Sequence, residues 1–227
     1  MSFLNPFPES CCFAVEKNSL ALNGIHPVEI KIGNSFLSAS RRTEFFTGRR
    51  CAHFGMIEAG YPNLPILRDQ SRSPIWPFSI IGSITHNATI AAGIVSKKHQ
   101  SILGLGIDIE DLSREIRTNI TRHTLTPWEI EKWSASSPTT PVETKIIFSI
   151  KEAIYKCFFP MYNIYLGFQD AEITELTENK FKASLLKNPF PYEVKIPIPL
   201  TGKVFIDSNI IFAALKFTKE QLKSLMD

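Results

Sequence analysis

The sequence predicts an α+β fold, and three observations lead to that prediction. Residues 38–58 and 143–159 place apolar side chains at helical spacing. Beyond about residue 163 the chain alternates apolar and polar residues in the manner of strands. Because helices and strands do not follow one another in a regular β-α-β order, a mixed α+β arrangement is favoured over a doubly wound parallel sheet.

The first half of the sequence predicts one long helix followed by strands. Within residues 38–58, Phe45, Arg49, Ala52 and Met56 follow +4, +3 and +4 spacing, which places them on one helical face. Residues 61–77 are too rich in proline for a helix and predict an ordered loop. Three apolar runs then predict strands, with a turn around residues 97–101 before the third; the runs are 79–85, 88–96 and 101–110.

The second half predicts two capped helices and then a series of strands. Thr126 and Thr140 each precede a proline and stand three residues before a glutamate, the pattern of a capping box. The second box begins the helix 143–159, which Pro160 is expected to end. A short polar helix is predicted from Thr218. The predicted strands are 172–176, 180–186, 192–198, 202–206 and 210–217.

Composition narrows the class of protein. A chain of 227 residues with 44% hydrophobic residues is typical of a globular protein with a real core. The net charge of +3 is too small to predict nucleic-acid binding. The longest apolar stretch, 80–95, is interrupted by polar residues, so no membrane span is expected. The N-terminal residues lack a secretion signal and the four cysteines lack metal-site spacing, which predicts reduced thiols in the cytoplasm.

The segment GLGIDIED, residues 104–111, carries the first candidate site. Alternation along a strand places Asp108 and Glu110 on one face, where two carboxylates about 7 Å apart repel each other. A hard divalent cation such as Mg²⁺, or an Arg or Lys clamp, relieves that repulsion. A solvated sheet edge is the alternative explanation.

The helix 143–159 carries the second candidate site. Glu152 and Lys156 stand four residues apart in the favourable order for a surface salt bridge, which is the simpler interpretation. The alternative is that Glu152 is a third carboxylate for a metal ion, with the ammonium of Lys156 beside it for phosphate.

Arg49 and His86 are candidates in the first half. Arg49 lies in an otherwise apolar helical row, where a guanidinium either reaches out to solvent along its stem or meets an anion such as a phosphate. His86 lies between two apolar runs, behind small hydroxyl residues that include Thr85. A satisfied structural histidine and a phosphate-binding one are both compatible with that position.

These residues resemble the signatures of the 4′-phosphopantetheinyl transferase superfamily. GIDIE (106–110) and FSIKEAIYK (148–156) are similar to the paired family patterns G-x-D-x-E and W/F-S-x-K-E-A-x-Y-K. Residues 41–49, 65–77 and 82–86 resemble the bacterial subgroup that contains enterobactin synthase component D. The resemblance covers about 41–170. Asn87 and Ile150 depart from the commoner family residues, and the strands after about 175 match no recognised motif.

The resemblance implies roles for individual residues. Asp108, Glu110 and Glu152 would hold Mg²⁺, with Mn²⁺ as a possible substitute, and Glu152 would be the general base. Lys156 would contact the phosphate at which the displacement takes place. The phosphates of coenzyme A would be bound by a set of residues from both halves: Arg41, Arg49, Arg68, Thr85, His86 and Lys156.

The resemblance also implies a fold, a reaction and a partner. Two similar, pseudo-symmetric lobes, each with a helix on a small mixed or antiparallel sheet, would enclose coenzyme A in a cleft. The N-terminal lobe, 1–105, would bind coenzyme A phosphates, and the C-terminal lobe, 106–227, would hold the metal and catalytic residues. The enzyme, a monomer, would transfer phosphopantetheine from coenzyme A to a serine of an apo carrier protein, and exposed residues such as Trp128 and Trp133 are candidate docking residues unless they pack in the core.

Two other functions use the same residues. A Mg²⁺-dependent phosphodiesterase or nuclease would direct water, instead of a serine hydroxyl, at the phosphorus. A non-catalytic binder of coenzyme A or of the carrier protein would not need Glu152. The block of arginines with His86 fits coenzyme A better than a polynucleotide, and the presence of all three acids with Lys156 favours an enzyme.

Overall fold

The computed structural model describes residues 4–98, 101–113, 120–134 and 141–226. Its helices are α1 (Pro27–Asn34), α2 (Ala39–Glu58), α3 (Ile120–Thr124), α4 (Pro127–Ser134), α5 (Pro141–Tyr162) and α6 (Lys219–Ser224). Its strands are β1 (Cys12–Lys17), β2 (Leu67–Arg68), β3 (Pro74–Ile75), β4 (Ile80–His86), β5 (Ile90–Lys97), β6 (Ile102–Asp111), β7 (Ala171–Leu176), β8 (Lys180–Leu185), β9 (Ile198–Asp207) and β10 (Ile210–Thr218).

The strands form two main antiparallel sheets. The first has the order β1-β5-β4, and the second has the order β6-β10-β9-β8-β7. Each sheet carries one long helix, α2 on the first and α5 on the second. The predicted α+β class with two similar lobes is therefore confirmed. The predicted boundary between residues 105 and 106 falls within β6, and the division of the chain at that point stays a prediction.

Helix α2 forms where its periodicity predicted it. The Ser38 side chain accepts a hydrogen bond from the Arg41 backbone N–H and begins the helix, as an N-cap serine does. The helix packs on β1, β4 and β5, and its buried residues Ala52 and Met56 share a core with Val95. The predicted loop 61–77 contains one short antiparallel pair, β2 with β3.

Helix α5 packs on β6 and β10 over the larger core. Gly106 makes this possible, because a side chain there would collide with the backbone of Ala153 and Cys157. The helix extends through Pro160 to Tyr162, so the prediction that Pro160 ends it was wrong. Pro160 has no N–H to donate to the carbonyl of Lys156, so the last turn of the helix lacks one backbone hydrogen bond, and the helix ends two residues later. The predicted cap Thr140 lies outside the described residues.

Two further sequence predictions have clear outcomes. Segment 192–198 does not form the predicted strand, since β9 begins only at Ile198; Pro197, which has no N–H to donate to a ladder, directly precedes it. The Thr126–Glu129 capping box is confirmed by two reciprocal hydrogen bonds. In the part of the chain that the structure describes, no helix combines the length and apolar character needed to cross a membrane.

The two sheets meet where β4 runs beside β6. The backbone N–H groups of Ile107 and Ile109 point out of the edge of the second sheet and donate to the hydroxyls of Ser83 and Thr85 on β4, each at 3.1 Å. Buried backbone donors need such partners, so these hydroxyls complete the edge of β6. The candidate site lies directly beside this junction.

Candidate active site

Asp108 is the centre of the site. Its side chain, on β6, is only 5% exposed, and its Oδ1 lies 2.6 Å from the ammonium of Lys156 on α5. Ser149, two turns earlier on the same helix, donates a hydrogen bond of 2.9 Å to Oδ2. The close approach of α5 to β6 at Gly106 brings these groups together. A buried carboxylate with an ammonium and a hydroxyl on its two oxygens is fully compensated.

Thr85 reaches the same carboxylate from the first sheet. Its hydroxyl donates to Asp108 Oδ1 at 3.1 Å, accepts from the Ile109 backbone N–H at 3.1 Å and accepts from Lys156 at 3.3 Å. The side chain is buried, 2% exposed. Both sheets therefore contribute to the setting of Asp108.

Glu152 and Lys156 have pKa values shifted by this environment. Burial raises the pKa of Glu152, and the neighbouring Asp108 carboxylate raises it further, while Lys156 opposes both effects. Burial lowers the pKa of Lys156, but Asp108, Glu152 and Glu110 outweigh it, so the pKa lies above its usual value. All three predicted acids therefore act electrostatically on one ammonium.

This donor set fits a hard divalent cation in its chemistry, because the three acids supply the oxygen ligands that Mg²⁺ prefers. The repulsion between Asp108 and Glu152 is the feature that a cation would relieve. Within the described ranges, no three His, Cys, Asp or Glu side chains are arranged as a metal-binding set. In this structure the ammonium of Lys156 is the cation beside the Asp108 carboxylate. The metal triad stays a prediction.

His86 and Arg41 lie on the first-sheet side of the site. The Nδ1 atom of His86 is 3.4 Å from the carboxylate of Glu44, and the half-exposed guanidinium of Arg41 lies 3.8 Å from the same carboxylate. Burial lowers the pKa of His86, with Glu44 opposing and with Lys156 and Arg41 adding to the effect. The imidazole is therefore within electrostatic reach of Lys156, and its role in binding coenzyme A stays a prediction.

Arg49 lies deeper, two turns along α2 from Arg41. Its guanidinium is 6% exposed; Nε is 3.2 Å from the fully buried Glu29 carboxylate, and the ring of Phe45 lies 4.8 Å away. Burial lowers the pKa of Arg49 to about 10, Glu29 opposes that shift, and nearby Arg68 adds to it. The protein itself thus provides the anion that this buried arginine needs, and a contact with coenzyme A stays a prediction.

The sequence interpretation missed three residues of this network. Glu29, 20 residues before Arg49, pairs with it, and Glu44 faces His86 from α2. Lys151, buried beside the predicted base, donates to Glu129 at 2.6 Å and to the carbonyls of residues 124 and 168. Glu29 and Glu129 each occupy the third position of a capped helix, and that position was a signal that the sequence offered.

Two cavities flank the charged residues. One of about 690 Å³ lies between the two sheets and is lined mainly by apolar side chains, among them Trp76, Leu105 and Tyr162. A smaller one of about 160 Å³ opens beside Glu152 and is lined by Tyr155, Tyr165 and Phe168, among others. The lining of the larger cavity does not include Asp108, Glu152 or Lys156. We therefore place the chemistry at Asp108 and Lys156 and not in the larger cavity.

The predicted docking residues differ in their surroundings. Trp133 packs against the larger core and matches the alternative of core packing. Trp128 is 40% exposed, and the ammonium of Lys132 lies 4.5 Å from its ring. Trp128 therefore stays available for a docking role, which is a prediction.

Comparison with known families gives two matches along the chain. Residues 37–96 match a model described as the 4′-phosphopantetheinyl transferase N-terminal domain. Residues 104–198 match the 4′-phosphopantetheinyl transferase superfamily model. The two matched ranges together cover more than half of the chain and include the candidate residues Arg41, Asp108 and Lys156.

Comparison with curated proteins agrees. The chain is 34% identical over 142 residues to the 4′-phosphopantetheinyl transferase PptT of Mycobacterium tuberculosis, covering 62% of this chain and 61% of that protein. It is 32% identical over 147 residues to enterobactin synthase component D of Salmonella typhimurium, covering 64% and 60%. It is 31% identical over 134 residues to the 4′-phosphopantetheinyl transferase Npt of Nocardia iowensis, covering 59% of each. The match thus spans about three fifths of the length of these relatives.

Proposed function

Because the chain belongs to the 4′-phosphopantetheinyl transferase superfamily, we propose that it transfers the 4′-phosphopantetheine group of coenzyme A to a serine of an apo carrier protein. The second product is adenosine 3′,5′-bisphosphate. The observation that carries the proposal is the Asp108–Lys156 pair at 2.6 Å, with Glu152 one helical turn away at the junction of the two sheets.

The proposed reaction is a displacement at phosphorus. The serine oxygen forms a bond to the phosphorus that bears the pantetheine arm, and the bond from that phosphorus to the bridging oxygen of the pyrophosphate breaks. The serine proton leaves with a base, and the leaving phosphate keeps the electron pair. Such transfers ask the protein mainly for positioning and for neutralisation of charge.

Glu152 is the proposed base. Its carboxylate is buried enough for its pKa to be raised, which moves it toward the range where a general base works well. Lys156 keeps its ammonium charged, since its pKa is raised, and it is the proposed partner of the phosphate that is attacked. Arg41, Arg49, Arg68, Thr85 and His86 are the proposed contacts of the remaining phosphates in the first lobe.

Asp108, Glu110 and Glu152 are the proposed ligands of a divalent cation, Mg²⁺ or Mn²⁺. When bound, such a cation supplies positive charge to the pyrophosphate of coenzyme A. The repulsion between Asp108 and Glu152 supports this assignment.

The proposed partner is a carrier protein of nonribosomal peptide, siderophore or polyketide synthesis. The names of the relatives, enterobactin synthase component D among them, support a carrier of this kind. Carrier proteins are typically acidic, and the net charge of +3 suits such a partner. We further propose that the chain acts as a monomer in the cytoplasm, where its four free cysteines would stay reduced.

Intact-protein mass spectrometry tests the proposal. An apo peptidyl carrier protein is incubated with the enzyme, coenzyme A and Mg²⁺, with parallel reactions that lack Mg²⁺ or use a carrier whose acceptor serine is replaced by alanine. We expect the carrier to gain the mass of one phosphopantetheinyl group only in the complete reaction. No gain on peptidyl, acyl and aryl carriers, in a chain that binds coenzyme A by calorimetry, would favour a non-catalytic binder.

A further inference from the structure

Glu29 connects two of the arginines that are proposed to bind coenzyme A. Its carboxylate, on α1, is fully buried. The Oε1 atom lies 3.2 Å from the Nε of Arg49 and accepts a hydrogen bond of 3.1 Å from the Ile66 backbone N–H. Ile66 directly precedes β2, which contains Arg68. One oxygen atom therefore contacts both the side chain of Arg49 and the chain that leads into Arg68.

The guanidinium groups of Arg49 and Arg68 lie near each other. The first is 4.8 Å from the ring of Phe45, and the second is 5.0 Å from the ring of Phe36. These two rings pack edge to face, with their centres 5.3 Å apart. Two cations held this close repel each other, and a phosphate shared between them relieves the repulsion.

Glu29 contacts only one side of the Arg49 guanidinium. A guanidinium carries five N–H donors in a fixed plane, shared among Nε, Nη1 and Nη2. Nε faces Glu29, and Nη2 donates to the Leu67 carbonyl at 3.5 Å. Nη1 donates no hydrogen bond to any residue that the structure describes. The contact at Nε thus orients the plane of the group and leaves Nη1 for a ligand.

We propose that Glu29 is a positioning residue for coenzyme A, whose carboxylate orients Arg49 and holds the start of β2 so that Arg49 and Arg68 contact the same phosphate. The identity of the ligand rests on the proposed function. Glu29 does not itself touch the ligand, since a carboxylate would repel a phosphate.

The direction of the effect separates positioning from simple neutralisation of charge. If Glu29 only neutralised Arg49, its loss would leave more positive charge for a phosphate, and coenzyme A would bind more tightly. If Glu29 orients Arg49, its loss lets the guanidinium turn, and coenzyme A binds more weakly. Glu29→Gln removes the charge at nearly constant size. Glu29→Asp keeps the charge but withdraws the carboxylate by one methylene group.

Glu129 offers a matched control in the second lobe. It is also fully buried, and it accepts the Ile173 backbone N–H as Glu29 accepts that of Ile66. Its ion-pair partner is Lys151, which is not a proposed contact of coenzyme A. Glu129→Gln therefore removes a comparable buried charge and leaves the contacts of the arginines unchanged.

Calorimetry in EDTA measures the affinity for coenzyme A, and thermal unfolding gives the folded fraction of each variant. We expect both Glu29 variants to weaken binding about 10-fold, which corresponds to the loss of one charge-assisted hydrogen bond. Glu129→Gln should bind like the wild type after correction for the folded fraction. In an Arg49→Ala background, Glu29→Gln should cause no further loss, because the glutamine oxygen can still accept the Ile66 N–H. If Glu29→Gln does not fold, Glu29→Asp decides.

Several outcomes would overturn the inference. Unchanged or tighter binding of coenzyme A by the Glu29 variants would remove the positioning role. Equal weakening by Glu29→Gln and Glu129→Gln would assign the loss to general destabilisation. Additive losses from Glu29→Gln and Arg49→Ala would show that Glu29 does not act through Arg49. A wild-type chain that does not bind coenzyme A would overturn both this inference and the proposed function. If the expected pattern is found but no carrier is modified, the inference stands and the proposed reaction fails.

Discussion

Glu29 and Glu129 occupy equivalent positions in the two halves of the molecule. Each is the third residue of a short helix, each has a fully buried carboxylate, and each accepts the backbone N–H of its capping residue. Glu29 pairs with His53 on α2 at 2.5 Å, and Glu129 pairs with Lys151 on α5 at 2.6 Å. In each lobe a short helix is therefore joined to the long one through a buried carboxylate.

Each carboxylate also joins its long helix to the chain that follows. Glu29 accepts from the Ile66 backbone N–H at 3.1 Å, and Glu129 accepts from the Ile173 backbone N–H at 2.7 Å. The two halves thus share the buried glutamate and its hydrogen bonds as well as the packing of a helix on a sheet. In each lobe this glutamate lies beside a proposed functional residue, Arg49 in one and Glu152 in the other.

Lys151 is expected to be a structural residue. Replacing it with methionine leaves the Glu129 carboxylate buried without a cation, which costs about 3–5 kcal/mol in the free energy of unfolding. The double variant Lys151→Met/Glu129→Gln should be more stable than Lys151→Met alone, because no charge is then stranded. Urea denaturation measures both.

The exposed pair of Lys182 and Glu175 is the control, since its distance of 2.7 Å matches that of the buried pair while both side chains are at least 50% exposed. Lys182→Met should change the free energy of unfolding by no more than about 1 kcal/mol. Similar losses for the two lysine variants would show that burial of the Glu129 pair has no consequence.

The sequence predicted the elements whose pattern is local. The face of α2 and the capping box at Thr126 follow from spacings within one helix, and the structure agrees with both. The failures involve proline. The sequence predicts that a helix ends at Pro160, although α5 continues through it, and it predicts a strand in the segment before Ile198, where none forms. In both places the backbone conformation depends on packing against other parts of the chain. The pattern of residues within one segment carries no information on that packing.

The candidate site was predictable where the chemistry shows in residue type and spacing. Asp108 and Lys156 were singled out, and the structure brings them into contact. The anion beside Arg49 was not predictable, because Glu29 lies on another helix and only the tertiary fold joins them. The same holds for the Thr85 hydroxyl, whose partners come from β6 and α5.

Arg41 and Arg49 are expected to separate binding from stability. Arg41 is 53% exposed and its ion pair with Glu44 is long, at 3.8 Å, so Arg41→Ala should weaken coenzyme A binding at nearly unchanged melting temperature. Arg49→Ala should lower the melting temperature by several degrees as well, because it removes a buried cation from Glu29. Calorimetry with coenzyme A and with its 3′-dephosphorylated analogue, together with thermal unfolding, measures these effects.

Replacing the arginine that contacts the 3′-phosphate should weaken the binding of coenzyme A far more than the binding of the 3′-dephosphorylated analogue. If neither variant changes coenzyme A affinity after correction for the unfolded fraction, neither Arg41 nor Arg49 contacts the phosphates.

His86 is expected to make the stability depend on pH. Its pKa in the folded chain is lowered from 6.5 by burial, so the unfolded chain binds more protons between that lowered pKa and 6.5. The free energy of unfolding should therefore rise with pH across this interval and level off above it. Denaturation curves at several pH values for the wild type and His86→Gln measure the difference, with His123→Gln, at an exposed position, as the control. A steeper rise in His86→Gln than in the wild type would contradict the direction of the shift.

Glu152→Gln is expected to separate chemistry from binding. The amide keeps the shape of the side chain but cannot take a proton, so transfer to the carrier should slow by about 10²–10⁴-fold, the usual contribution of a general base. Lys156 and Asp108 keep their contact at 2.6 Å, and the affinity for coenzyme A in EDTA should stay within a few-fold of that of the wild type. Glu175→Gln, at an exposed position on β7, controls for the change of net charge. Mass spectrometry of the carrier over time gives the rate, and full activity of Glu152→Gln would remove this residue from both the metal and the base assignments.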